Sequence, residues 1–103
     1  MHARLIEFSG ADPEKREHAI QTIRETVIPM LRTYDGYGGY ISLYDEANSQ
    51  AKAIVLWESK ETAEAGEEEL AERRKQLTAG IGLTIESVEL YEAPVVELEG
   101  ARV

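Results

Sequence analysis

YDGYGGYISLYDEANSQAKAIVLWESK, running from Tyr34 to Lys60, decides the fold. Two strand-like runs flank the polar stretch EANSQ (46–50), which has the composition of a hairpin loop. The first run spans about Tyr37 to Asp45. Its alternating sides are Tyr37, Gly39, Ile41, Leu43 and Gly38, Tyr40, Ser42, Tyr44, and neither is clearly polar. The second run, Lys52 to Glu58, contains Ala53-Ile54-Val55-Leu56-Trp57 without interruption. A strand with no polar alternation needs cover on both faces.

Upstream, ARLIEF (3–8) reads as a strand closed by Ser9-Gly10. Asp12-Pro13 then suits a helix start. The aspartate accepts free N–H groups at the N-cap, and proline loses nothing at the first helical position. Ile20, Ile23, Val27 and Leu31 step by three and four and predict one apolar helix face, with Lys15, Arg16, Gln21, Arg24 and Glu25 opposite. Pro29 predicts a kink, or an end of regular helix near Val27 or Ile28. Asp35-Gly36 stops it.

Downstream, Ser59 is a good N-cap for a second helix. Six glutamates from Glu61 to Glu72 precede Arg73, Arg74 and Lys75, an order that complements the helix dipole. Glu69 and Arg73 are spaced to pair on its surface. Its apolar side is thin: Ala63, Gly66, Leu70 and Leu77. Residues 79–82 (AGIG) end it. In the last strand Leu83 and Ile85 share one parity and Val88 and Leu90 the other, which predicts a bulge near Glu86-Ser87. Pro94 interrupts that strand, and 94–103 read as a C-terminal arm or a further short strand.

The 103 residues make one domain, and a formal charge of −9 counts against nucleic-acid binding. Cysteine is absent, so no thiol chemistry is available. MHARLIEF shows no signal peptide, and no apolar run is long enough to cross a bilayer. A cytoplasmic protein with no membrane partner is expected. The order strand, helix, strand, strand, helix, strand is the split βαβ of an α+β ferredoxin-like domain, an antiparallel sheet with both helices on one face. That leaves the second face of the third strand bare, and soluble monomers rarely expose such a patch. A homodimer packed sheet to sheet follows.

The middle of the chain resembles a known family. Gly36-Tyr37-x-Gly39, the Ile28-Pro29-Met30-Leu31-Arg32 approach to it, and Val55-Leu56-Trp57-Glu58-Ser59-Lys60 opening a helix are similar to the antibiotic biosynthesis monooxygenases, small dimeric α+β barrels. In the cofactor-free, quinone-forming members the tryptophan of this segment lines the substrate pocket, which implies Trp57. Those enzymes also use an asparagine, a tyrosine and a histidine at positions that fall here on Ala53, Ala63 and Leu43. The heme-degrading branch has a second tryptophan and a heme-ligating histidine where this chain has Gly66 and Gln76, so heme ligation of that kind is not expected. The resemblance implies no cofactor.

The candidate pocket residues are Trp57, Tyr37, Tyr40, Tyr44, His18 and Arg4, with no catalytic group assigned. Indole offers a large apolar surface and one donor, and phenols add directed hydroxyls. His18 could act as a base near neutral pH. His18 and His2 are the only imidazoles, and each suits a surface position. Arg4 alternates with apolar neighbours on the first strand, and Arg73 and Arg74 end the second helix; any of them could meet an anionic ligand, although a surface ion pair is the simpler role. Two isolated histidines without spaced carboxylates form no metal site. Three functions fit: cofactor-independent oxidation of a small quinol- or anthrone-like aromatic; non-catalytic small-molecule binding or a stress-related role on the same fold; or an assembly module whose dimer face and arm are the function.

Overall fold

Strand β1 (His2–Ser9) pairs antiparallel on one side with β3 (Gln50–Trp57) and on the other with β4 (Thr84–Glu92), while β2 (Tyr37–Asp45) closes the far edge against β3. The sheet order is therefore β2-β3-β1-β4. This is the order that two split βαβ units require. The computed structural model describes residues 1–100, so 101–103 of the expected arm lie outside the described residues. A composite helix, α1 (residues 13–31), and helix α2 (Lys60–Gly80) contribute Leu31 and Leu70 to one core with Ile6, Ala53, Val55 and Trp57 of the sheet. The ferredoxin-like α+β architecture is as the sequence predicts. No helix among the described residues is long and apolar enough to cross a membrane.

Helix α1 is built of a 3-10 turn (Pro13–Lys15), an α segment (Arg16–Thr22), a π turn (Ile23–Val27) and a last α segment (Ile28–Leu31). Asp12 caps its start by accepting from the Glu14 N–H at 2.9 Å. The departure from regular helix comes before Pro29 rather than at it, and helix resumes to Leu31. Proline has no N–H to give and crowds the carbonyl four residues back; a widened turn relieves both. The Ile28 N–H accordingly reaches back five residues to Ile23 O. The widened turn also rotates the apolar stripe. Val27 and Leu31 join the core, while Ile20, expected on the same face, stays 39% exposed. Arg16 is exposed, as expected, and its guanidinium lies over the Tyr44 ring at 4.6 Å.

Two bulges set which side chains share a face. Register in β2 slips between Tyr37 and Gly39, with Gly38 as the extra residue. Tyr37 is thereby moved onto the face of Tyr40 and Tyr44, where simple alternation places it opposite them. In β4 the slip falls between Ser87 and Ile85, with Glu86 as the extra residue, and brings Ile85, Val88 and Leu90 onto one face. That bulge is the one expected from the change of parity. Among the described residues 94–100 form no strand, and Val95 is 82% exposed.

The open face of the sheet carries Leu5, Ile41, Leu43, Ile54 and Leu56, flanked by a Glu7–Lys52 ion pair of 3.5 Å. Leu56 is buried, whereas Leu43 and Tyr91 are 44% and 48% exposed. No described helix covers this face, because α1 and α2 share the other.

Candidate functional site

The glycine motif and the Trp57-Glu58-Ser59 segment meet in space. The Glu58 N–H donates to Gly36 O at 2.8 Å. Ser59 caps α2 reciprocally: the Thr62 N–H donates to Ser59 Oγ at 3.1 Å, and the Ser59 N–H to Thr62 Oγ1 at 3.2 Å. Thr62 also sits where a Cβ on Gly36 would be, 2.4 Å from its Oγ1, and Gly36 has φ +81. Only glycine fits that left-handed, crowded position. The junction fixes where α2 leaves the sheet, and so which α2 residues stand over Trp57.

Cross-strand register lays out the helix-covered face in rows. One row reads Glu92, His2, Trp57, Tyr37; the next reads Leu90, Arg4, Val55, Tyr40. Trp57 is 2% exposed. Tyr37 meets its indole edge-on, with ring centroids 6.3 Å apart at 79°. From α2, Gly66 presses on the indole so closely that an added Cβ would lie 2.8 Å from Cη2. Trp57 is thus the buttress of an aromatic wall whose more accessible members are Tyr37 and Tyr40.

Beside this wall lies a charged cluster. Arg4 is 9% exposed, which overturns its reading as a surface partner. Its Nη2 donates to Ala63 O at 3.3 Å, and its Nε lies 3.6 Å from Glu67 Oε1. Arg74 holds Glu67 through two bonds, Nη1 to Oε2 at 2.9 Å and Nη2 to Oε1 at 2.6 Å. Two guanidiniums therefore share one carboxylate, leaving net positive charge on a largely covered face. Burial alone would raise the Glu67 pKa; the Arg74 hydrogen bonds and the charges of Arg74 and Arg4 more than offset it, so the carboxyl sits below its usual range. Burial pushes the Tyr40 phenol up to about 12, with Tyr37 adding to the shift and Arg74 opposing it. The arrangement favours a second anion and holds Tyr40 as a neutral hydrogen-bond donor.

The structure thus brings together Trp57, Tyr37, Tyr40 and Arg4 of the expected residues. Tyr44 lies at the far end of β2, opposite Ala51, its hydroxyl buried without a partner under Arg16. His18 is exposed on the outer side of α1, in an open hollow of about 490 Å³ with Glu17 and Glu25. It is not part of this site, because the rotation at the π turn lies beyond it and its own segment faces solvent there. His2, read as a surface residue, is half-buried in the Trp57 row with Nδ1 buried and unpartnered. Glu67 escapes sequence reading as the shared partner of Arg4 and Arg74, although its spacing of seven from Arg74 puts both on the Ala63–Leu70 stripe, and that stripe is the available signal. The expected Glu69–Arg73 pair does not form among the described residues; the α2 ion pairs are Glu67–Arg74 and Lys60–Glu64. No described cluster of three or more His, Cys, Asp or Glu side chains could hold a metal ion.

No family model matches the sequence, and no curated protein matches it. Solved structures do. The Streptomyces coelicolor ActVA-Orf6 monooxygenase, in complex with nanaomycin D, superposes with a TM-score of 0.71 at 14% identity, over 96% of this chain and 92% of that one. The chain has the fold of the antibiotic biosynthesis monooxygenases. SnoaB of Streptomyces nogalater, a cofactor-independent oxygenase, gives 0.64 at 14% identity, covering 95% and 97%. A dimeric ferredoxin-like protein from an uncultured marine organism gives 0.68 at 9%, covering 96% and 100%. Against the pattern of the quinone-forming monooxygenases, Ala53 and Ala63 are buried in the core, and Leu43 points from the opposite face of the sheet. The Gly66 position has no room for the second tryptophan of the heme-degrading branch.

Proposed function

We propose that the protein binds a small, electron-rich aromatic molecule of quinol or anthrone type at the Tyr37–Tyr40–Arg4 end of the helix-covered face, as a sheet-to-sheet homodimer. The observation that carries this is the shared carboxylate: Arg4 and Arg74 over one Glu67, beside the Trp57–Tyr37 wall. A ring stacks on the phenols, and its ionised oxygen takes the surplus positive charge. Stabilising a phenolate or enolate favours loss of its proton, and the anion is more electron-rich toward dioxygen than the neutral ring, so cofactor-independent oxidation is the chemistry that such a site would serve. The oxygenase folds above, one in complex with nanaomycin D, support this reading. The dimeric ferredoxin-like neighbour and the apolar open face support the homodimer.

A second reading, binding without catalysis, is favoured by one observation: Ala53 and Ala63 present only aliphatic surface where reactive groups are expected. Oxygen uptake separates the two. With 1,8-dihydroxyanthrone and folded protein, uptake above background that falls in an Arg74→Met variant supports catalysis. Saturable binding with background uptake supports the binding module.

A further inference from the structure

A hollow of about 310 Å³ lies between the helices, lined by Thr26 and Met30 of α1 and by Arg73, Gln76 and Leu77 of α2. That is within the size range of small-molecule sites, which pair an apolar lining with a few converging polar groups. Met30 and Leu77 supply the apolar surface, and Thr26, Arg73 and Gln76 the polar groups. One wall belongs to the π turn Ile23–Val27, and single π turns in helices often mark functional sites. Arg73 stands apart from its neighbours. Arg74 and Arg4 are both paired with Glu67, whereas Arg73 has no hydrogen-bond or ion-pair partner among the described residues. An exposed guanidinium without an ion-pair partner, beside apolar surface, selects an anionic occupant over a neutral one.

We propose that this groove binds a small aromatic acid, with its ring between Met30 and Leu77 and its carboxylate on Arg73. The groove is separate from the Tyr37–Tyr40–Arg4 end of the sheet, so it is a second site, with its own ligand charge, beyond the proposed function. The Gln76 amide and Thr26 hydroxyl serve the remaining carboxylate oxygens.

The chain has two methionines, so ε-methyl carbon labelling reads the groove directly. Met30 lines it, while Met1 lies against Gly38 of the sheet and serves as the internal control. Titration with naphthoate should move the Met30 signal saturably and leave Met1 unchanged. Naphthamide, its neutral analogue, should bind about fivefold more weakly, the size of one partly exposed charge contact. Arg73→Gln should erase that preference, and Lys75→Gln, on the same helix, should keep it. Equal affinity for the two probes, or a preference that survives in Arg73→Gln, overturns the proposal. So does a Met30 signal that shifts with protein dilution alone, which would mean that a second copy covers the groove. If naphthoate changes Trp57 emission but not Met30, the ligand sits at the sheet: this proposal falls and the proposed function stands. If neither responds, this proposal falls, and the proposed function is decided by its own anthrone titration.

Discussion

Gly66 of α2 lies against the indole of Trp57 with no space for a side chain: a Cβ there would sit 2.8 Å from Cη2 and 3.1 Å from Cζ2. Trp57 is buried and packs against Tyr37 as well, so it has little room to give way. Gly66→Ala gains ~1 kcal/mol of helix propensity. Forcing a methyl into a full core costs about 1–3 kcal/mol. The variant should therefore be less stable by urea denaturation, with Trp57 emission shifted to the red. An increase in stability would show that the helix stands further from the sheet.

The shared carboxylate makes an ordered prediction. Glu67→Gln leaves two guanidiniums facing each other with little solvent, and should cost about 2–3 kcal/mol. Arg4→Met leaves the neutral Arg74–Glu67 pair intact and should cost about 1 kcal/mol or less. Chemical denaturation of both variants checks the order, and a reversed order would mean that Arg4, not Glu67, holds the cluster together.

Acid should act through the same carboxyl. Its pKa is lowered in the folded state, so its contribution is present above the ordinary carboxylate range and is lost as pH falls through the folded value. Stability of the wild type should decline on acidification below about pH 4, and Glu67→Gln should show a shallower slope. Denaturation midpoints across that range are the measurement.

Base should act through Tyr40. Its phenol ionises at about 12 in the folded chain, against an ordinary value near 10. The folded state keeps a proton that the unfolded state releases, so stability should fall as pH rises from about 10 to about 12. Tyr40→Phe should flatten that fall and remove the latest-ionising component from the phenolate absorbance titration.

Most of the fold is written in local chemistry. Asp12-Pro13, Ser59 and the AGIG stretch place the helix ends, and the unbroken Ala53–Trp57 run places the central strand. The β4 bulge is legible because the apolar residues change parity within one strand. The β2 bulge is not, because Gly38 and Gly39 carry no side chain to reveal parity, and this hides the alignment of Tyr37 with Tyr40. The charged cluster is hidden for another reason. Arg4, Glu67 and Arg74 lie on a strand and two helix turns far apart in the chain, and their meeting depends on how α2 leaves the sheet at the Gly36–Thr62 junction. Ile20 is misplaced because a regular 3.6-residue period does not anticipate a π turn.

The open face predicts association. Leu43 is 44% exposed in the single chain, so Leu43→Lys should be tolerated by the monomer and resisted by a partner. Light scattering in dilute solution should give twice the chain mass for the wild type and a shift toward one chain mass for the variant. A monomeric wild type would refute the homodimer.

The account turns on whether an aromatic molecule seats beside the Trp57–Tyr37 wall. Trp57 is the chain's single tryptophan, so its emission reports on that place alone. Titration of the folded protein with 1,8-dihydroxyanthrone should quench this emission saturably, with weaker binding in Arg74→Met. Emission that stays unquenched, or that falls linearly without saturation in both proteins, would contradict the account.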